Sequence, residues 1–154
     1  MSVLPFSSTF DILQLKGSSL YKAFERSVNR YDSSSLPGWR LYIFVSLLTS
    51  VKGEFLQVSG FRVEYNTSAT LGNRVVCLQA LEGHNFNVVE NDKLYWVGTS
   101  SFLSGGGDGY DMLRDERLFY QKGRDDVTVF VNEIKARSPI TDQNSGWSLH
   151  EDTF

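Results

Sequence analysis

A single α+β domain is the fold class that this sequence predicts, on three observations. Short strand-like runs stand at Phe10–Leu15, which mixes alternation with an apolar pair, at Phe61–Tyr65, which alternates with period two, and at Arg74–Leu81, with Val75, Val76, Cys77 and Leu78. Apolar residues recur at helical spacing in two places, at Leu20, Phe24, Val28 and Tyr31 and again at Val127, Phe130, Val131 and Ile134, as helices with one apolar face require. The chain has 154 residues, 41% hydrophobic and 21% charged, which suits one core and leaves no room for a second large domain. Together these predict a mixed sheet with packed helices over residues 1–140 and a polar, flexible tail over 141–154.

The elements follow in order. Phe10-Asp11-Ile12-Leu13-Gln14-Leu15 is the first strand, and Lys16-Gly17 stops it with a turn signal. Ser18 or Ser19 offers an N-cap for a helix that carries Lys22, Glu25, Arg26 and Arg30 on its polar side and ends near Asp32. The run from Ser33 to Gly38 breaks the chain, because small polar residues and a Pro-Gly pair favour turns. Trp39 to Leu48 is apolar on all sides, so helix and buried strand both remain open there. Phe61, Val63 and Tyr65 alternate with Arg62 and Glu64 after a bulge or bend at Ser59-Gly60, and a turn from Asn66 to Asn73 leads to a hairpin partner, Arg74 to Leu81. Leu94 to Thr99 is a further strand that runs straight into a glycine-rich loop. A last helix starts at Asp125-Asp126, whose carboxylates suit a helix N-terminus, and stops before Pro139.

Composition excludes several functions. Fifteen Lys and Arg against eighteen Asp and Glu give a net charge of −3, which leaves no excess of positive charge for a nucleic acid backbone. The longest nearly apolar run, Leu41 to Leu48, is interrupted by Ser46 and falls far short of the roughly 20 residues of a membrane span. No basic, then apolar leader opens the chain and no hydrophobic stretch closes it, so neither a signal peptide nor a lipid-anchor signal is read. Cys77 is the one cysteine and is expected to be a buried small hydrophobe. His84 in the turn Glu82-Gly83-His84-Asn85 and His150 in the tail are too far apart in sequence for an in-chain metal site. Asp111, Asp115 and Glu116 lack calcium-loop spacing and read as a solvated face.

The loop Ser104-Gly105-Gly106-Gly107-Asp108-Gly109-Tyr110 is the segment with chemistry to offer. Glycines let the backbone turn sharply and approach a ligand closely, but no Lys with Ser or Thr follows them as a phosphate loop requires. Asp108 instead presents a carboxylate, whose two acceptor oxygens match a vicinal diol such as that of ribose. Phe102 adds an apolar face on which a base can stack. The competing reading is a tight surface turn with Phe102 in the core.

With these residues in view, the chain resembles the C-terminal domain of the 5′-nucleotidase family, the group of ecto-5′-nucleotidases, secreted apyrases and UDP-sugar hydrolases. The likeness runs through Leu4-Pro5-Phe6, Phe10 to Gly17, the helix from Ser18 to Tyr31, Phe55 to Gly60, Gly72 to Val76, Phe102-Leu103 and Gly106 to Tyr110, in the family's order. The resemblance implies an α+β domain that holds the nucleoside of a nucleoside 5′-phosphate. It implies that Phe6 and Phe102 sandwich the base and that Asp108, on the Gly106-Gly107 bend, binds the ribose. It assigns the hydrolysis to an N-terminal metallophosphoesterase domain holding two divalent metals, zinc by the family's habit. This chain is expected to lack that partner domain, to bind no metal itself and to be inert alone, as part of an extracellular or cell-surface enzyme of nucleotide catabolism.

Departures from the family qualify that expectation. The Asn and Arg that complete the family's pocket lie upstream of the Leu-Pro-Phe segment, so the pocket here is expected to be incomplete. Residues 36–52 read as an insertion, either a translated intron or a variant segment, expected to pack poorly. Two alternatives stand beside the enzyme reading: a non-catalytic secreted nucleotide-binding module, and a truncated gene product without activity. Asn66-Thr67-Ser68 fits an N-glycosylation acceptor and agrees with an extracellular parent.

Overall fold

The computed structural model describes residues 8–30 and 54–138. Phe6, the insertion at 36–52 with Trp39 to Leu48 inside it, His150 and the tail 141–154 lie outside the described residues. The elements are β1 (Phe10–Lys16), α1 (Gly17–Ser27), β2 (Phe61–Tyr65), β3 (Val75–Glu82), β4 (Asn85–Val88), β5 (Leu94–Ser100), α2 (Ser101–Ser104), α3 (Asp111–Asp115), β6 (Phe119–Gln121) and α4 (Asp126–Arg137). The α+β class is as expected. The strands divide between two three-stranded sheets, β5-β1-β6 and β2-β3-β4, in place of one mixed sheet: β2, β3 and β4 pair with their chain neighbours, β1 takes β5 and β6 as its partners, and all four pairings are antiparallel.

One core joins the two sheets. Alternation along β1 turns Asp11, Leu13 and Leu15 inward while Phe10 and Ile12 face out, as a strand of period two must. Leu20, Ala23, Phe24 and Val28 from the α1 segment pack with Tyr65, Leu78 and Ala80 of the second sheet and with Tyr95, Tyr110 and Leu113. Each fully buried Leu or Phe contributes about 1.5–3 kcal/mol, so α1 is the piece that fixes one sheet against the other. The far face of the first sheet leaves Phe10, Ile12, Leu94, Trp96 and Phe119 exposed, with Trp96 and Phe119 edge to face at 5.2 Å.

Both ends of α1 differ from expectation, and tertiary contacts explain both. The helix starts at Gly17 with Lys16 as N-cap and no capping side chain, because the Gly17 and Ser18 N–H groups donate to the Lys93 and Asn91 carbonyls at 3.0 Å each. The orphan donors that a serine cap would satisfy are already paired, and the Ser19 hydroxyl donates to Glu116 instead, at 2.7 Å. The helix stops at Ser27, short of Asp32. Its last turn tightens through Val28 N–H to Glu25 and Asn29 N–H to Arg26, and the buried Arg74 guanidinium donates to the Val28 carbonyl at 2.5 Å.

The hairpin of β2 and β3 matches the sequence, with its bend at Ser59-Gly60 where Gly60 has φ 77°. Cys77 is half-buried, not a core residue, because Leu78 and Ala80 take the inward phase of β3. The Gly83-His84 turn, expected from the sequence, joins β3 to β4, a strand that alternation does not reveal. Asp125 caps α4 through the Thr128 N–H at 2.8 Å.

Candidate nucleoside site

The glycine loop is built outward from the end of β5. Ser100 caps α2 by accepting from the Leu103 N–H at 3.4 Å, and the Gly105 and Gly106 amides close the short helix onto the Ser101 and Leu103 carbonyls. The chain then reverses with φ 91° at Gly106, 54° at Asp108 and 78° at Gly109. Aspartate is among the few side chains that enter this left-handed region, at roughly 1–2 kcal/mol. The Asp108 carboxylate thus projects from a turn of 3-10 geometry spanning Gly107–Gly109. It is exposed and makes no hydrogen bond or ion pair among the described residues.

Phe102 lies against this bend. A Cβ at Gly107 would come within 2.6 Å of the Phe102 Cε1 and Cζ atoms, so the absent side chain is what lets the ring settle beside Asp108. The ring is 55% exposed, which overturns the core placement of Phe102. At Gly106 a Cβ would press on Asp111 and Arg114, both at 2.9 Å. The structure therefore brings Phe102, Gly106, Gly107 and Asp108 together, whereas Phe6 is outside the described residues.

The far end of the loop is held by groups that sequence patterns do not mark. Tyr110 is fully buried and its hydroxyl donates to the Glu54 carbonyl. Arg26 ion-pairs with Glu54 at 3.1 Å, and its Nε lies 2.7 Å from where a Gly109 Cβ would sit. The sequence reading puts Arg26 on the polar side of the helix. Its partners Glu54 and Gly109 lie far along the chain, beyond the reach of any local pattern. Asp11 is a second unmarked group: its carboxylate is buried and accepts from the Ser104 hydroxyl at 2.7 Å. A signal for it does exist, since Asp11 stands in phase with Leu13 and Leu15, and an acid in the inward phase of a strand must find donors.

Of the three acids after the loop, Asp111 and Asp115 are solvated, both paired with Arg114 at 3.1 and 2.7 Å. Glu116 is not. It is half-buried and accepts from Lys22 and Ser19, each at 2.7 Å. The Lys22 bond, ahead of the Ser19 bond, holds its carboxyl below the usual glutamate range despite burial. Among the described residues no three His, Cys, Asp or Glu side chains are grouped to hold a metal ion, and no helix is long and apolar enough to cross a membrane.

The fold defines an α+β domain of two antiparallel sheets locked by one helix. The chain belongs to the 5′-nucleotidase C-terminal domain family, whose pattern matches residues 1–115. It is 38% identical over 148 residues to a 5′-nucleotidase of Bos taurus, covering 92% of this chain and 23% of that protein. It is 39% identical over 143 residues to a snake venom 5′-nucleotidase of Macrovipera lebetinus, covering 90% and 31%. The crystal structure of a 5′-nucleotidase precursor from Thermus thermophilus superposes with a TM-score of 0.70 at 26% identity, over 87% of this chain and 23% of that one. The chain therefore spans under a third of the length of these relatives.

Proposed function

We propose that this chain is the nucleoside-binding part of a 5′-nucleotidase-type hydrolase acting on nucleoside 5′-phosphates. One observation carries the reading: an exposed Phe102 ring rests on Gly107 beside an Asp108 carboxylate that has no protein partner among the described residues. An ionised carboxylate only accepts hydrogen bonds, and a ribose 2′,3′-diol offers it two donors. The ring offers the base a stacking face, and by the family resemblance Phe6 supplies the opposite face. Bound this way, the sugar and base are oriented by Asp108 and Phe102. By the resemblance, cleavage is assigned to a metallophosphoesterase domain, whose two divalent metals, zinc by the same resemblance, would supply an activated water. On this reading the chain alone binds a nucleoside and hydrolyses nothing.

Calorimetric titration with adenosine and 2′,3′-dideoxyadenosine tests the assignment. Phe102→Ala should weaken both ligands alike, by roughly 5- to 150-fold, the worth of one stacked base. Asp108→Ala should weaken adenosine alone and abolish its advantage over the dideoxy form. Unchanged affinities in both variants sink the reading.

We place the parent enzyme outside the cell or on its surface. The venom origin of one relative supports this, as does the presentation of Asn66. That residue is exposed at the start of the β2–β3 turn, where its Oδ1 accepts from the Ser68 N–H at 3.1 Å. The side-chain nitrogen makes no hydrogen bond among the described residues and is presented for a glycan, which surface turns accommodate. Sent through a eukaryotic secretory pathway, the chain should carry a glycan removable by peptide N-glycosidase, and Asn66→Gln should not.

A further inference from the structure

A loop of glycines has no side chains with which to hold itself, and glycine loses more backbone freedom on ordering than any other residue. Beyond the Gly105 and Gly106 amides that bond back to α2 and the side chains of Phe102, Arg26 and Arg114 that lie against it, the Gly105–Gly109 bend is held at its ends. The far end is fixed by buried Tyr110. The near end is Ser104, 2% exposed, whose carbonyl accepts from Arg117 at 3.2 Å and whose hydroxyl donates to Asp11 Oδ2 at 2.7 Å.

Asp11 is built into more than that one bond. It has no exposed surface. Its Oδ2 also accepts from the Tyr120 hydroxyl at 3.0 Å, and its Oδ1 accepts from the Thr9 hydroxyl at 2.7 Å and the Gly123 N–H at 3.2 Å. No Lys or Arg is among these partners, so four donors do the work of a counter-charge, which a buried carboxylate requires. The donors come from the strand's own start, α2, β6 and the connection to α4. An asparagine in its place can keep its oxygen for the Gly123 N–H only by turning its NH2 toward the Ser104 and Tyr120 hydroxyls, which would then have to accept.

We infer that Asp11 is the positioning residue of the nucleoside loop, acting through Ser104 to set where Phe102 and Asp108 stand. The inference rests on the nucleoside reading of that loop. Asp11 touches no ligand; it determines the ground from which the ligand-binding groups project.

Two alanine variants separate positioning from simple stability. Thr9→Ala and Ser104→Ala each remove one hydroxyl bonded to Asp11 at 2.7 Å, the first at Oδ1 and the second at Oδ2, and only Ser104 leads directly into the Gly105–Gly109 bend. Both should lower the urea midpoint to a similar extent. Only Ser104→Ala should speed amide exchange at Gly105, Gly106 and Tyr110 and weaken adenosine, roughly tenfold as for one hydrogen bond. Asp11→Asn with Ser104→Ala should bind adenosine no more weakly than Asp11→Asn alone, since both act along one path. Equal loop exchange in the Thr9 and Ser104 variants overturns the inference. If the unmodified chain shows no adenosine binding, the nucleoside reading fails, and the exchange contrast still decides whether Asp11 holds the loop.

Discussion

Asp11→Ala is expected to remove about 1–3 kcal/mol of folding stability at neutral pH, read from urea unfolding, because four donors lose their shared acceptor, the buried Ser104 hydroxyl among them. The Thr9, Ser104 and Tyr120 hydroxyls can rotate to other acceptors, and Ser104 already lies 3.2 Å from the Ser101 carbonyl. The Gly123 N–H, fixed in the backbone, cannot. The loss should also carry a pH signature. Burial opposes ionisation of Asp11, yet the hydrogen bonds from Thr9, Ser104, Gly123 and Tyr120 outweigh it and hold the carboxyl below the usual aspartate value. A carboxylate whose folded pKa is depressed contributes stability that is complete above its unfolded value of about 3.9 and is lost as pH falls through and below it. The gap in stability between the unmodified chain and the variant should thus be widest at neutral pH and narrow below about pH 4. Asp11→Asn, closer in shape, should show the same narrowing from a smaller gap. A gap that is constant down to about pH 3 would contradict the linkage.

What could be read from the sequence, and what could not, divides by the range of the forces involved. The alternation of β1, the hairpin of β2 and β3 with its Gly60 bend, and the Asp125 cap of α4 are all local, and the structure has them where the pattern puts them. β4 and β6, four and three residues long, exist because β3 and β1 offer them backbone partners, and strands so short leave no period to read. The start of α1 is set by carbonyls of Asn91 and Lys93, so the two serines that look like caps are free for other work. At the site, glycines around an acid single out Asp108 in the sequence, and the structure holds it in the left-handed region that few residue types enter. The exposure of Phe102 and the anchoring roles of Arg26 and Asp11 depend on segments that only the fold brings together, and only Asp11 left a trace in the strand phase.

Gly123→Ala should be among the most disruptive single-methyl changes in the chain, costing about 3 kcal/mol or more, the upper end of overpacking. A Cβ there would lie 1.5 Å from the Phe10 carbonyl oxygen and 2.7 Å from its carbon, and neither atom can swing aside as a side chain would. The contact is close because the β6–α4 connection is laced to the start of β1. Phe10 N–H donates to the Arg124 carbonyl and Asp126 N–H to the Ser8 carbonyl, both at 3.0 Å, while Gly123 N–H reaches Asp11. Gly98 is the control: its Cβ would meet nothing within 4 Å, so Gly98→Ala should stay within about 0.5 kcal/mol. The damage from Gly123→Ala should spread to α4. Val127, Phe130, Val131 and Ile134 of that helix are exposed, so little packing supports it, and an isolated helix of this length is marginal in water. Unlacing its first turn should therefore melt α4 before the core. That appears as a loss of helical circular dichroism and of amide protection over Asp126–Arg137 at urea concentrations where Leu13 and Leu78 remain protected, whereas simultaneous loss in all three places would show that the lacing and the core unfold as one unit.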